Sequence, residues 1–182
     1  LFDQCLIDPG RLAEVNAIVA AIRSNAPRYQ AVADAIGMPW PMVGAIHSLE
    51  ASLKFTGHLH NGDSLKKRTV HVPAGHPKEG VPPFKWEVSA IDALRLKKLD
   101  EWDDWSVPGL LYQLERYNGF GYRMHHPEVR SPYLWAASIH YTRGKYVADG
   151  TFSETAVSKQ CGSAVILRRM AEAGELQIDK TN

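Results

Sequence analysis

The chain has few cysteines, no long apolar run and no excess of charge of either sign. Its two cysteines, Cys5 and Cys161, cannot form the disulfide framework of a small secreted domain, which uses four or more. One bridge between the chain ends is an open alternative, but two buried thiols are the simpler interpretation. No segment approaches the roughly 18 apolar residues of a membrane-spanning helix, and no cationic start followed by an apolar stretch indicates a secretory signal in this chain.

Charge is balanced along the chain, with 21 lysine and arginine residues against 20 aspartate and glutamate residues. Residues 1–91 carry nine basic and eight acidic side chains, and residues 92–182 carry twelve of each. The electrostatic footprint of a nucleic-acid-binding protein is therefore missing. The tightest basic cluster, residues 66–68, is typical of a solvated turn, with steering of an anionic polymer as the alternative.

The composition is that of a globular protein. Hydrophobic residues make up 45% and charged residues 23% of the 182 residues, both close to the averages of folded domains. A chain of this length can bury roughly 70% of the surface that its unfolded form exposes, so it can hold a core without disulfides. These features predict a single domain over residues 1–182. No coiled-coil pattern is present, and we expect a monomer.

Apolar residues recur at helical spacing through most of the chain. Proline in the first turn marks helix starts at Pro27, Pro41 and Pro108, and Gly37 marks a helix end. The last residues, 179–182, are expected to fray. The predicted helices span residues 9–22, 26–36, 40–53, 88–99, 107–118, 132–141 and 153–173.

Residues 54–84 differ from the rest, because glycine and proline crowd there and make a helix unfavourable. An Asn-Gly-Asp turn at residues 61–63 and a short strand over residues 69–72 predict a small irregular β-hairpin rather than a separate domain. The predicted fold class is therefore α+β, mainly α, with a small β-hairpin after the third helix.

Glu50 is the first candidate for chemistry. It lies near the end of the apolar third helix and borders the face that Ile46, Leu49 and Leu53 share. A carboxyl group that loses solvation in this way holds its proton more tightly and can act as a general acid near neutral pH. The spacing equally allows an ion pair with Lys54, four residues further on.

The polar segment after this helix holds the nearest downstream carboxylate, Asp63. A carboxylic acid on a helix end and a carboxylate on an adjacent hairpin can flank a glycosidic bond, which is one interpretation of the pair. An Asx-type turn, in which Asp63 bonds its own backbone, is the other. His58 and His60, with His71 or His76, could bind a metal, but no metal-ligand spacing supports this, so hydrogen-bonding histidines are favoured. We expect no metal and no cofactor.

Aromatic and amide side chains cluster where the helix over residues 107–118 ends. Asn118, followed by glycine, is typical of a helix stop, which leaves Tyr117 and Tyr122 to be explained. Aromatic rings with a polar tip, next to an amide, suit the face and the hydroxyl groups of a sugar. The candidate sugar-binding residues are His60, Tyr117, Asn118, Tyr122, Trp135 and His140.

These residues resemble motifs of the lysozyme superfamily. The tripeptide at 50–52, Glu-Ala-Ser, resembles the catalytic Glu-Ser region of lytic transglycosylases with one residue inserted. The tripeptide at 117–119, Tyr-Asn-Gly, resembles their Tyr-Asn-x-Gly cleft motif without the spacer. Over about residues 40–170, the chain is similar to bacterial and phage proteins of the lysozyme family, which include secretion-activating proteins. The similar strings are HSLEASLKFTGHLHNGDSL, LERYNGFGYR and SPYLWAASIHYTRGKYVADG.

The resemblance implies a lysozyme-like fold and cleavage of peptidoglycan at the β-1,4 bond between N-acetylmuramic acid and N-acetylglucosamine. It implies that Glu50 is the catalytic acid, that Asp63 is a second carboxylate and that Thr69 holds a water molecule. Tyr117 and Asn118 would line a cleft between the hairpin and the helices. Such a muramidase or endolysin acts on the bacterial cell wall, in the periplasm or after export.

Three alternatives to a muramidase stay open on the sequence. A lytic transglycosylase needs only one acid/base group, because the 6-hydroxyl group of the sugar closes a 1,6-anhydro ring. A chitinase-type glycosidase would cleave a related polymer. A non-catalytic wall-binding module would hold glycan strands without releasing products.

Overall fold

The computed structural model describes residues 1–176, which contain eight α-helices and one two-stranded antiparallel sheet. The chain divides into two compact units, Ala21–Trp105 and Leu1–Ala20 with Ser106–Asn182. The predicted frayed end lies outside the described residues. The elements are α1 (Leu12–Ser24), α2 (Ala26–Ile36), α3 (Trp40–Ala51), α4 (Trp86–Leu96), α5 (Val107–Asn118), α6 (Gly121–His125), α7 (Pro132–Trp135), β1 (Lys145–Ala148), β2 (Thr151–Ser153) and α8 (Ser163–Glu172).

The mainly helical fold class is confirmed, but the hairpin lies elsewhere than predicted. β1 and β2 form it around a turn at Asp149 and Gly150, where Gly150 has a φ of 66°. The predicted strand over residues 69–72 is wrong. The backbone there bonds within its own loop, from the Thr69 N–H to the His76 carbonyl at 2.8 Å. Residues 52–85 contain neither helix nor strand, only an isolated bridge between residues 57 and 64.

Two helix predictions are too long by six residues or more, because loops and backbone pairing take the place of helix there. The helix predicted over 132–141 ends at Trp135, because Ala137 has a φ of 71° and Ile139 donates its N–H to the Leu6 carbonyl. The helix predicted over 153–173 begins only at Ser163, since the preceding residues pair in the sheet or form loops.

Three helices of the unit Ala21–Trp105 pack around one core, in which α2 contacts both α3 and α4. Gly44 is required where α3 approaches α1, since a Cβ atom there would lie 2.4 Å from Ile22 Cγ2. Arg28 of α2 pairs with Glu87 of α4 at 2.5 Å. The fully buried side chains of this core include Ile22, Tyr29, Val32, Met42, Val43, Ile46, Leu59, Trp86 and Leu94.

The other unit packs α5 and α8 against α7. Its N-terminal segment joins this packing through an antiparallel bridge between Ile7 and Ser138. Cys5 and Cys161 are both buried free thiols, which confirms the simpler interpretation of the two cysteines. Among residues 1–176, no helix has the length and apolar character that crossing a lipid bilayer requires.

The end of α3 is conformationally unusual, because two consecutive non-glycine residues follow it in the left-handed region. Ser52 has φ 49° and ψ 40°, and Leu53 has a φ of 59°. A non-glycine residue in this region costs of order 1–3 kcal/mol and persists only where its surroundings hold it. The chain therefore turns sharply two residues after Glu50.

We predict that Ser52→Gly raises the free energy of unfolding by up to about 1 kcal/mol, because glycine adopts positive φ without a steric penalty. The matched control is Ser48→Gly, in the interior of the same helix. It should lower the free energy of unfolding by about 0.5 kcal/mol through lost helix propensity. Urea unfolding of both variants measures whether the free energy of unfolding rises in the first and falls in the second. Equal destabilisation by both would contradict the left-handed turn at Ser52.

Candidate functional site

Glu50 is the one acidic residue of α3, and it lies one residue before the end of that helix. Eight of the twelve residues of α3 are buried, whereas Glu50 is half-exposed. The helix thus holds a single carboxyl group where a largely buried surface meets solvent. This is the position that the apolar pattern predicts.

His47 holds the turn that follows Glu50. Its Nε2–H donates to the Lys54 carbonyl at 3.3 Å, and its Nδ1 accepts from the Tyr29 hydroxyl at 2.9 Å. The His47 carbonyl accepts the N–H groups of Ser52 and Leu53, the two left-handed residues. One fully buried histidine therefore bonds both sides of the turn to the core.

An aromatic cluster encloses the His47 ring. Trp86 lies 4.5 Å and Phe55 4.7 Å from the ring, centroid to centroid. Burial lowers the pKa of His47 to about 4 and raises the pKa of Tyr29. The imidazole is therefore neutral at pH 7, which matches a ring that donates through one nitrogen and accepts through the other.

Asp63 organises the loop after Glu50. Its Oδ2 accepts the N–H groups of Val70 and His71 at 2.7 and 2.9 Å, and its Oδ1 bonds His71 Nδ1 at 2.6 Å. The His71 N–H and imidazole, with the Val70 N–H, hold the pKa of Asp63 well below its usual range. The Asx-type turn belongs to Asn61, whose Oδ1 accepts the N–H of Asp63 at 3.0 Å. Asp63 itself is a fully ionised carboxylate with three donors around it.

The Thr69 hydroxyl is engaged within the same loop. It donates to the Pro73 carbonyl at 2.6 Å and accepts the His76 N–H at 2.9 Å. The side chain is buried, with 3% of the residue surface exposed. The contacts of Thr69 thus serve the loop conformation, and the water-holding role stays a prediction.

The predicted sugar contact of His60 is wrong, because its side chain has no exposure to solvent. Its Nε2 bonds Asp92 Oδ2 at 2.7 Å instead. The neighbouring His58 is also enclosed, between the Ser89 hydroxyl and the Lys67 carbonyl. Both histidines point into the unit rather than toward a ligand on its surface.

Two of the predicted sugar-binding residues line one cavity in the other unit. This cavity has a volume of about 490 Å³, and Asn118, Tyr122, Tyr133 and Tyr146 contribute to its wall. Tyr146 comes from β1, and its N–H donates to the Tyr122 hydroxyl at 3.1 Å. The cavity therefore brings the Asn118 amide and three tyrosine rings together, and Tyr146 among them is a residue that the sequence pattern did not single out.

The remaining sugar-binding candidates lie apart from that cavity. Trp135 lines a second cavity of about 380 Å³ and packs edge-on against His140, with ring centroids 5.1 Å apart. The His140 Nε2–H donates to the Leu1 carbonyl at 3.0 Å. Tyr117 is buried in α5 and lines neither cavity. The burial of Tyr117, and the contacts of His140 with Trp135 and Leu1, thus explain these two residues without a bound sugar.

Sequence reasoning missed His47, Tyr146 and Asp92. Tyr146 had a local signal, because Asp149-Gly150 between β-favouring residues is typical of a hairpin. His47 lay within a helix of known apolar pattern, but nothing local marks its contact with Tyr29, eighteen residues earlier. Asp92 meets two histidines that are 16 and 32 residues away, a relation that no local pattern contains.

Comparisons with protein-family models, with curated proteins and with solved structures found no match to this chain.

We predict that His47 makes stability depend on pH between about 4 and 6.5. Its pKa is about 4 in the folded state against about 6.5 unfolded, so the unfolded chain binds the proton more tightly. Stability is fully present above pH 6.5 and decreases as pH falls toward 4, by about 3 kcal/mol in total. Urea unfolding across this range should show a slope that His47→Gln reduces.

The matched control is Tyr29→Phe, which removes the phenol bonded to His47 and keeps the titrating imidazole. It should lower stability at every pH and retain the slope. Parallel curves for wild type and His47→Gln would contradict the buried neutral imidazole.

Proposed function

We propose that the protein cleaves the glycan strands of peptidoglycan and that Glu50 is the acid that protonates the bridging oxygen. The observation that carries the proposal is the end of α3, where a single half-exposed carboxyl group stands beside a strained turn. Left-handed non-glycine residues cluster at functional sites, where the surrounding structure holds them in place. Here the buried His47 supplies that support.

The proposed reaction needs a carboxyl group that carries its proton to the bond. Partial burial disfavours the ionised form of a carboxyl group, and a rigid helix end keeps the group in place. Glu50 would donate its proton to the glycosidic oxygen as the bond from the N-acetylmuramic acid C1 atom breaks. Positive charge then develops on an oxocarbenium-like ring. Water, or the 6-hydroxyl group of the same sugar, would complete the reaction at C1 and return a proton to Glu50.

The bonding of Asp63 supports one of these two endings over the other. A general base must accept a proton, and a carboxylate with a lowered pKa is a weak base. The two acceptor positions of its Oδ2 are already used by backbone N–H groups. Asp63 thus favours the second candidate function, a lytic transglycosylase in which the 6-hydroxyl group closes an anhydro ring and one acid/base group suffices.

The cavity lined by Asn118, Tyr122 and Tyr146 supports a role in sugar binding. Tyrosine rings offer apolar surface to the face of a pyranose, and the amide offers a donor and an acceptor to its hydroxyl groups. Lys145 and Asp149 add charged groups to the same wall. A volume of about 490 Å³ falls in the range of small-ligand sites. From Glu50 at the end of α3 and from this cavity, we also propose a lysozyme-like fold and action on the bacterial cell wall.

We predict that Glu50→Gln lowers the rate of glycan cleavage by at least about 10²-fold, because glutamine has no proton to donate. Release of soluble fragments from purified peptidoglycan sacculi is the measurement, with chitin oligomers in parallel. The matched control is Glu101→Gln, an exposed carboxyl group of the same unit, which should keep full activity. Full activity of Glu50→Gln with a native circular dichroism spectrum would overturn the assignment.

We predict that Asp63→Asn lowers the melting temperature but leaves the turnover of the folded protein within a few-fold of wild type. The amide keeps the shape of the side chain and loses the charge that binds the Val70 and His71 donors. His71→Gln is the matched control, since it removes one donor and keeps the carboxylate. A large loss of turnover in Asp63→Asn alone would make Asp63 a catalytic carboxylate and favour the muramidase.

A further inference from the structure

Three side chains that the proposed reaction does not use converge in the unit Ala21–Trp105. His60 and His76 come from the helix-free segment, and Asp92 comes from α4. Each offers one nitrogen or oxygen atom, and these three atoms lie within 4.8 Å of one another. The two imidazole rings are 5.2 Å apart, centroid to centroid.

Asp92 is the centre of this cluster. Its Oδ2 lies 2.7 Å from both His60 Nε2 and His76 Nδ1. An imidazole nitrogen and a carboxylate oxygen are both among the ligands that zinc takes in proteins.

A cavity of about 370 Å³ lies beside the cluster, and Asp92 forms part of its wall with Pro77 and Val88. Lys78, Glu79 and Arg95 add charges of both signs. The cluster is therefore reachable from solvent through the side that Asp92 occupies. A site with three protein groups and an accessible side can take a fourth ligand, such as water.

We propose that His60, His76 and Asp92 bind one divalent cation of the zinc type and so fasten the segment over residues 52–85 to α4. Two imidazole nitrogens and one carboxylate suit zinc and its neighbours better than magnesium or calcium, which prefer oxygen ligands. Ligand bonds of about 2.0–2.1 Å in a tetrahedral site separate the ligand atoms by about 3.3 Å. The two 2.7 Å pairs would have to open by about 0.6 Å, a movement within the reach of side-chain rotation.

The test uses the whole chain, stripped of metal with a chelator and then given zinc chloride. Mass spectrometry of the metal after gel filtration should find one zinc per chain, and zinc should raise the melting temperature. His76→Gln and Asp92→Asn should each weaken zinc binding at least about tenfold. The matched control is His71→Gln, an exposed histidine of the same segment outside the cluster, which should bind zinc as wild type does.

A second measurement guards against a variant that does not fold. Cobalt(II) added to the metal-free wild type should give the intense visible absorption of a tetrahedral centre, and zinc should displace it. Wild type that retains no zinc and gives no such spectrum would overturn the proposal and leave the cluster as a hydrogen-bonded triad. Equal zinc binding by wild type and by folded His76→Gln would also overturn it. Neither readout depends on glycan cleavage, so this site and the proposed function can fail independently.

Discussion

A buried neutral imidazole is the constraint on which the candidate site depends. His47 lies inside an aromatic cluster, accepts from Tyr29 and donates to the Lys54 carbonyl. These bonds require one tautomer and no charge. They hold the chain where α3 ends, so that the two left-handed residues after it keep a conformation that a free chain would avoid. Glu50 lies in the last turn of that helix, one residue before its end.

Polar side chains take the place of secondary structure in the segment over residues 52–85. Asp63 gathers backbone and imidazole donors, Thr69 bonds both sides of its loop, and His58 joins the segment to Ser89 of α4. The hydrogen bonds of these three side chains, which belong to residue types common in catalytic sites, therefore stabilise the conformation of the segment. In the cluster around Asp92, by contrast, three possible ligand atoms converge beside a cavity.

The sequence correctly predicted helix ends that are determined by the residues next to them. Proline at the start and glycine at the end bounded α2, and Ser106, which accepts the Gly109 N–H, marked the start of α5. The strand over residues 69–72 was wrong, because β-branched residues form a strand only where a partner strand pairs with them, and loop bonds took that backbone instead. The position of Glu50 followed from helical spacing. The contacts of His47, Tyr29 and Asp92 did not, since these residues meet their partners across 16 to 32 residues of sequence.

The proposed reaction breaks the β-1,4 bond on the reducing side of N-acetylmuramic acid. Mass spectrometry of the fragments released from purified peptidoglycan in water enriched in oxygen-18 tests this directly. We expect fragments that end in N-acetylmuramic acid, either in a 1,6-anhydro form without label, which the bonding of Asp63 favours, or in a reducing end that carries the label. Fragments cut at the other glycosidic bond or in the peptide stems, or intact strands, would rule out the proposed reaction.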